Sequence, residues 1–335
     1  MDQAITHWID GACAWAPGLC LAVFLLGSML MIWRLESMSA SGMQGTVLGT
    51  LVMPYCSGLG NLIFAYVLGK SGGESREIMT NSLVNNVTNM TLLIGLPAAI
   101  FGLSLIPGKS KKPARRKKVS VDPHRLNRLS LLLTLTAAAF FTGIMWALAR
   151  DQRLDFGDGL VLVGVFLFWQ CFHVFEVLKA NAEQNRWFGF RFFVDFALLL
   201  AGAFAVYMSI DWLVAWVSSG RSGFISARHL GWLSGWLMVV PNAMLAFYYA
   251  WQQRPEVVYS SQIGDGHICI PLCVGVFALF RPIPVPDFFQ LGVWLLLGAA
   301  ALHFVLVAVF GKLPRVIGWA LVAAYALFVY KGLEG

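Results

Sequence analysis

Charge is scarce in this chain, and its scarcity excludes most soluble architectures. Only 12% of the 335 residues are charged, while 58% are hydrophobic; a soluble domain carries about 25% charged residues. Nearly the whole length therefore reads as membrane protein, with the lipid bilayer as its solvent. Cysteine is sparse too. Cys13, Cys20, Cys56, Cys171, Cys269 and Cys273 lie inside apolar runs without framework spacing, which excludes a disulfide scaffold and suits small apolar fillers. The start, Met1-Asp2-Gln3, lacks the basic stretch of a cleavable signal, so the first apolar run is expected to be a retained helix. The net charge of +7 lies mostly in one loop, which argues against nucleic acid as a partner.

What the chain has is apolar length. A span of the hydrocarbon core needs roughly 20 apolar residues, and about ten windows meet that criterion. They lie near 11–33, 43–69, 78–106, 129–149, 158–179, 192–217, 225–252, 257–280, 288–310 and 313–331. Five precede the loop around 180–191 and five follow it, so the expected fold is all-α and polytopic, with unit boundaries 1–180 and 181–335. An odd number of spans per unit gives the two units opposite orientations, an inverted repeat. The basic block Lys109 to Lys118, in the loop 107–128, marks the cytoplasmic side. Both termini then lie outside the cytoplasm, and the expected location is a bacterial inner membrane.

The two halves share a polar echo. In the first, Cys56-Ser57-Gly58-Leu59-Gly60-Asn61 interrupts an apolar segment, and twenty residues after Asn61 comes Asn81. In the second, Pro241-Asn242 does the same, and Gln262 follows twenty residues after Asn242. Paired interruptions in corresponding segments point to the binding site of an inverted-repeat transporter. Pro54, Gly58, Gly60 and Pro241 predict broken helices with freed carbonyls, which with the Ser57 hydroxyl and the Asn61 amide are hard ligands for a cation. Packing kinks are the plainer alternative.

Asn81, Asn85 and Asn89 recur at four-residue spacing and form one helical stripe, flanked by Ser82, Asn86 and Thr88. An amide facing lipid costs several kcal/mol per unpaired group, so the stripe faces other helices or water. Interhelical hydrogen bonding accounts for one such residue; so many in nine positions point to a cation or water-lined site. Asp265 and His267 form an acid–imidazole pair deep in an apolar segment, fit to bind a cation or take up a proton. Cys269 and Cys273 add a soft-metal alternative with His267, although their spacing matches no closed site. Asp195 is expected to pair with Arg191, one turn back. Gly264-Asp265-Gly266 lacks the second apposed aspartate that protease chemistry needs, so no enzyme is expected.

These residues resemble the cation/calcium exchanger superfamily, which includes the sodium/calcium exchangers. Its alpha-repeats read roughly I-G-L-T-x-x-A-x-G-T-S-x-P-E, then G-N-x-x-G-S-N-x-x-N about twenty residues on. Here the first repeat reads Leu48-Gly49-Thr50-Leu51 through Asn61, then Thr80-Asn81 through Asn89 and Leu92-Leu93-Ile94-Gly95. The second reads Leu230-Gly231-Trp232-Leu233, Pro241-Asn242 and Ser261-Gln262 to His267. The resemblance implies a secondary active cation antiporter whose P-E glutamates bind the ion, helped by the preceding hydroxyls and by polar residues of the second motif. Carried over, Ser57, Asn61, Asn85 and Asn89 take ion-site positions, and Asn242 replaces the second acid.

Met238 and Val239 stand where hydroxyls are expected, and Asp265 and His267 lie beside the ligand positions rather than on them. Loss of both acids removes most of the charge compensation for calcium. The expected cation site therefore comprises Ser57, Asn61, Asn81, Asn85, Asn86, Asn89, Asn242, Asp265 and His267. Sodium, calcium or a proton is the transported species, and no other cofactor is expected. The alternative is a non-transporting membrane subunit that keeps the fold and binds a protein or lipid partner. Association with itself or with another chain stays open.

Overall fold

The computed structural model describes residues 15–40, 53–105, 123–181, 190–219 and 223–334. They form long helices. Helix α1 runs Ala16–Ala40 and α2 runs Met53–Ser71. The rod α3, Arg76–Phe101, is α-helical except for a π turn at Thr88–Leu92. Then come α4, Pro123–Leu148, α5, Phe156–Asn181, α6, Phe190–Ser219, and α7, Leu230–Trp251. The rod α8 begins as Pro255–Ile268, passes through a π turn at Cys269–Val274 and ends with Gly275–Ala278. The rod α9 is Phe289–Val305 followed by a π turn, Leu306–Phe310, and α10 is Arg315–Glu334.

Seven helices among the described residues are long and apolar enough to cross a membrane. Helix α8 is not among them, because Gln262, Asp265 and His267 dilute its apolar content. It is nonetheless among the most enclosed elements, with Gln262 and Asp265 fully buried. The first part of the expected second span, and the basic block of 107–128, lie outside the described residues.

Helix contacts recur in matched pairs. Helix α1 packs along α6 and α4 along α9; α3 packs on α7 and α10, while α8 packs on α2 and α5. Two tiny antiparallel ladders tie the rod ends. Leu103 pairs with Leu313, and Arg153 pairs with Pro284. Small residues permit the closest crossings, since lipid supplies no hydrophobic drive for helices to associate. A Cβ on Gly318 of α10 would lie 2.6 Å from the Gly95 carbonyl oxygen and 2.7 Å from the Ala99 nitrogen of α3. On α5, a Cβ on Gly159 would lie 2.8 Å from the Gly275 carbonyl oxygen of α8.

Backbone cannot yield to such a clash as a flexible side chain would. Gly318→Val should therefore lower thermal stability in detergent, by about 1–3 kcal/mol in line with overpacked cores. Unchanged unfolding temperature would show that α10 is not clamped on α3.

One expectation is corrected. The helices are not broken at the echo positions: α2 is helical through Cys56 to Asn61, and α7 continues through Pro241-Asn242. A single interior proline removes one amide donor, and the neighbouring turns hold the rod together. The irregularities lie one rod later, as the π turns of α3 and α8. The expected Asp195–Arg191 pair falls on a side chain outside the described residues; the described partners of Asp195 lie on α1. Asp195 Oδ1 lies 3.2 Å from Arg34 Nη1, and its Oδ2 accepts from Ser37 Oγ at 3.1 Å. A carboxylate in the α1–α6 seam takes the cation facing it across that seam; the Arg191 side chain lies outside the described residues.

Candidate functional site

Four helices, α2, α3, α7 and α8, bring their polar middles together, because none can present an amide to lipid. Asp265 on α8 is wholly buried, and Asn61, Asn85, Asn89, Asn242 and Gln262 are each at most 1% exposed. The carboxylate gathers this group. Its Oδ2 accepts from Asn89 Nδ2 of α3 at 3.2 Å and from Asn242 Nδ2 of α7. Gln262, one turn before Asp265, donates from Nε2 to the Asn242 carbonyl oxygen at 3.2 Å. Asn85 donates from Nδ2 to Cys269 Sγ at 3.0 Å, one turn after Asp265.

Asn85, Asn89 and Gln262 use their amide donors but not their side-chain acceptors, while both Nδ2 and Oδ1 of Asn61 are buried without a partner. The side-chain oxygens of Asn61, Asn85, Asn89 and Gln262 are buried with no hydrogen-bond partner, and so is the Ser82 hydroxyl. Buried acceptors without donors are uncommon in folded proteins, and each costs about 1–3 kcal/mol when left so. Oxygens free of donors, next to a buried carboxylate, suit a hard cation. Asn61 lies on the face of α2 turned to α7 and α8. A Cβ on neighbouring Gly60 would meet Met238 Sδ, and one on Gly58 would lie 3.0 Å from Ile268.

The remaining expected residues serve the frame around this cluster. Asn81 donates to Ser234 Oγ at 3.0 Å across the α3–α7 seam. Asn86 donates back to the Ser82 carbonyl at 2.7 Å, and Gly266 leaves room for it: a Cβ there would come within 2.8 Å of Asn86 Oδ1. His267 is turned to α4 and α5. Its Nε2–H donates to the Thr134 carbonyl at 2.9 Å, and its ring stands edge-on to Phe141 and Trp169. These partners weigh against the soft-metal alternative. His267 and Cys269 are committed to Thr134 and Asn85, and no group of three or more His, Cys, Asp or Glu among the described residues could hold a metal ion. Ser57 lies within α2, but its side chain is outside the described residues.

Sequence reasoning missed several members. Gln262 was marked by the echo but not assigned. Glu77, 2% exposed, accepts the Gly231 N–H at 2.6 Å and caps the start of α7. His303, fully buried on α9, donates from Nε2 to the Met90 carbonyl at 2.9 Å, inside the π turn of α3. A π turn displaces its carbonyls from the ordinary ladder, and this imidazole satisfies one of them. Thr88 Oγ1 lies 3.3 Å from Tyr325 Oη, which also accepts from Trp236 Nε1 at 2.8 Å. A lone histidine in an apolar run carries no sequence signal for such a role.

The family model described as sodium/calcium exchanger protein matches residues 14–175 and 194–331. No curated protein matches the chain. Among solved structures it is similar to the sodium-calcium exchanger NCX_Mj soaked with 10 mM Na+ and 10 mM Sr2+. That likeness has 18% identity and a TM-score of 0.61, over 93% of this chain and 95% of that one. NCX_Mj soaked with 2.5 mM Na+ and 0.1 mM Ca2+ gives 19% identity and a TM-score of 0.61, over 93% and 95%. NCX_Mj soaked with zero Na+ and Ca2+ gives 18% and 0.62, over 93% and 96%. Likeness at this identity shows the fold; the family model, matched over nearly the whole length, shows the kinship. The chain is an integral membrane protein of the sodium/calcium exchanger family, whose members are cation antiporters and not enzymes.

Proposed function

We propose that the protein is a secondary active antiporter that holds one monovalent cation at the bilayer midplane, between Asn61 and Asn242, with sodium or a proton as the coupling species. One observation carries the reading: four buried amide oxygens without donors lie on α2, α3 and α8, helices packed against one another around Asp265. Calcium takes six to eight oxygens and leans on carboxylates for charge. Asp265 alone leaves a calcium ion one charge in excess, whereas a sodium ion is neutralised.

The matched contacts support two inverted five-helix units, 1–180 and 181–335. Exchanging each helix with the one five places along turns α3 on α10 into α8 on α5, and turns the ladder Leu103–Leu313 into the ladder of Ile283–Pro284 with Arg153–Leu154. Gly95 against Gly318 has its image in Gly275 against Gly159. The lysines and arginines of 107–128 favour a cytoplasmic loop there, with both ends of the chain outside, as in a bacterial inner membrane.

Calorimetry on the purified protein, with sodium, potassium, calcium and pH varied, tests the reading. Sodium should bind with a stoichiometry of about one and calcium far more weakly; tight calcium binding would refute the charge argument. A second reading has its own support. Asp265 Oδ2 already accepts two amide donors, which solvate the carboxylate without any ion. A non-transporting subunit that keeps the fold would then bind no cation and would co-purify with a stable partner.

A further inference from the structure

Besides the polar centre, the helices α2 and α8 enclose a groove of about 430 Å³ that opens on the lipid-facing side of the bundle. Its walls are apolar, with Leu62 and Tyr66 on α2 facing Phe277 on α8 and Phe280 just beyond it. Tyr66 is 61% and Phe280 81% exposed, so both rings lie at the outer surface. The groove follows α2 from Leu62 to Lys70, a rise of roughly 12 Å along the helix. At one end it is closed by two cations, Lys70 in the last turn of α2 and Arg281 just after α8. Both belong to the same end of the bundle: a Cβ on Gly72 would lie 4.0 Å from Arg281 Nη2.

No carboxylate lines this groove, and no ion pair among the described residues involves Lys70 or Arg281. Three other basic residues near helix ends do have acids beside them. Arg76 has Glu74, Arg254 has Glu256 and Lys331 has Glu334. Basic side chains at helix ends often just reach for water, yet that role needs neither a groove nor a pair without an acid. Two unpaired cations at the membrane-edge end of an apolar channel match a molecule with an acyl chain and an anionic head. Basic pockets between membrane helices bind anionic lipid head groups on the cytoplasmic side. Here the pair lies at the end opposite the 107–128 loop, where the same charge attraction would act on an anionic lipid of the other leaflet.

We infer that the α2–α8 groove is a binding site for one anionic phospholipid, its acyl chain lying along Leu62, Tyr66 and Phe277 and its phosphate held by Lys70 and Arg281. The occupant would bridge the helix carrying Asn61 and the helix carrying Asp265, so the lipid reports on the packing of the cation site's own walls. The inference does not rest on the transport reading, because its test is read without any transported cation.

The test is the thermal unfolding of delipidated full-length protein, titrated with phosphatidylglycerol, phosphatidylcholine or inorganic phosphate. Phosphatidylglycerol should raise the unfolding temperature saturably. Phosphatidylcholine should need roughly tenfold higher concentration, and phosphate alone should do nothing. Lys70→Gln with Arg281→Gln should weaken the phosphatidylglycerol response roughly tenfold or more. Gly69→Phe fills the groove from α2, where a Cβ would already lie 3.6 Å from the Phe277 ring, and should abolish the response with both cations intact. Equal responses to the two lipids, an equal response to phosphate, or an undiminished response in either variant would overturn the site.

Discussion

Asp265→Asn should remove cation-dependent stabilisation and cation flux in proteoliposomes, while the ion-free protein should unfold at the same temperature as the wild type or higher. The two halves of this result have one cause. Asp265 is wholly buried and its Oδ2 is held by the amides of Asn89 and Asn242. Burial of a charge is unfavourable until an opposite charge arrives. Asparagine keeps the shape and removes that cost, so the empty protein loses nothing. A bound cation, by contrast, loses its counter-charge. Breaking a buried ion pair costs about 3–5 kcal/mol, which is about 200- to 5000-fold in affinity. Amide oxygens of Asn61, Asn85, Asn89 and Gln262 remain, but neutral dipoles cannot replace a full charge at low dielectric. Flux that survives the substitution would move the charge elsewhere. Flux absent from both proteins, with no cation-dependent shift in either, would favour the non-transporting subunit.

How far the site was legible in the sequence depends on which physical rule governs each residue. The stripe Asn81, Asn85 and Asn89 was legible because an amide cannot face lipid and helical spacing fixes a common face; all three are buried. Which neighbour each amide meets was not legible, since that follows from the rotation and register of other helices. Asn81 meets Ser234, Asn85 meets Cys269, and Asn89 reaches Asp265. His267 shows the same limit. Two residues from Asp265, it faces away from that carboxylate's amide partners, because a helix turns about 200° in two residues. The π turn of α3 carried no proline or glycine signal, whereas that of α8 contains Pro271; the prolines and glycines of the echo pointed one helix too early. The family resemblance was legible from the polar motifs, and the family model bears it out. The exchange of helix contacts between the halves needed the three-dimensional packing.

Asn242→Asp should convert the site from one that ignores calcium to one that requires a divalent ion. Asn242 donates an amide hydrogen to Asp265 Oδ2. Aspartate in its place sets two carboxylates against each other with no donor between them, and like charges so close cannot both stay ionised unaided. The ion-free variant is then less stable, by about 1–3 kcal/mol on the scale of a buried polar group left without its partner. A divalent cation resolves the conflict. It supplies the missing positive charge and meets two carboxylates beside the amide oxygens of Asn61, Asn89 and Gln262, the kind of donor set calcium favours. Calcium at about one hundred times its dissociation constant should then stabilise the variant by about 2.7 kcal/mol, with no effect on the wild type. Sodium supplies only half the charge and should rescue less. Converging amides are the premise. A variant that is destabilised but indifferent to calcium would mean that those oxygens do not share one cavity with positions 242 and 265.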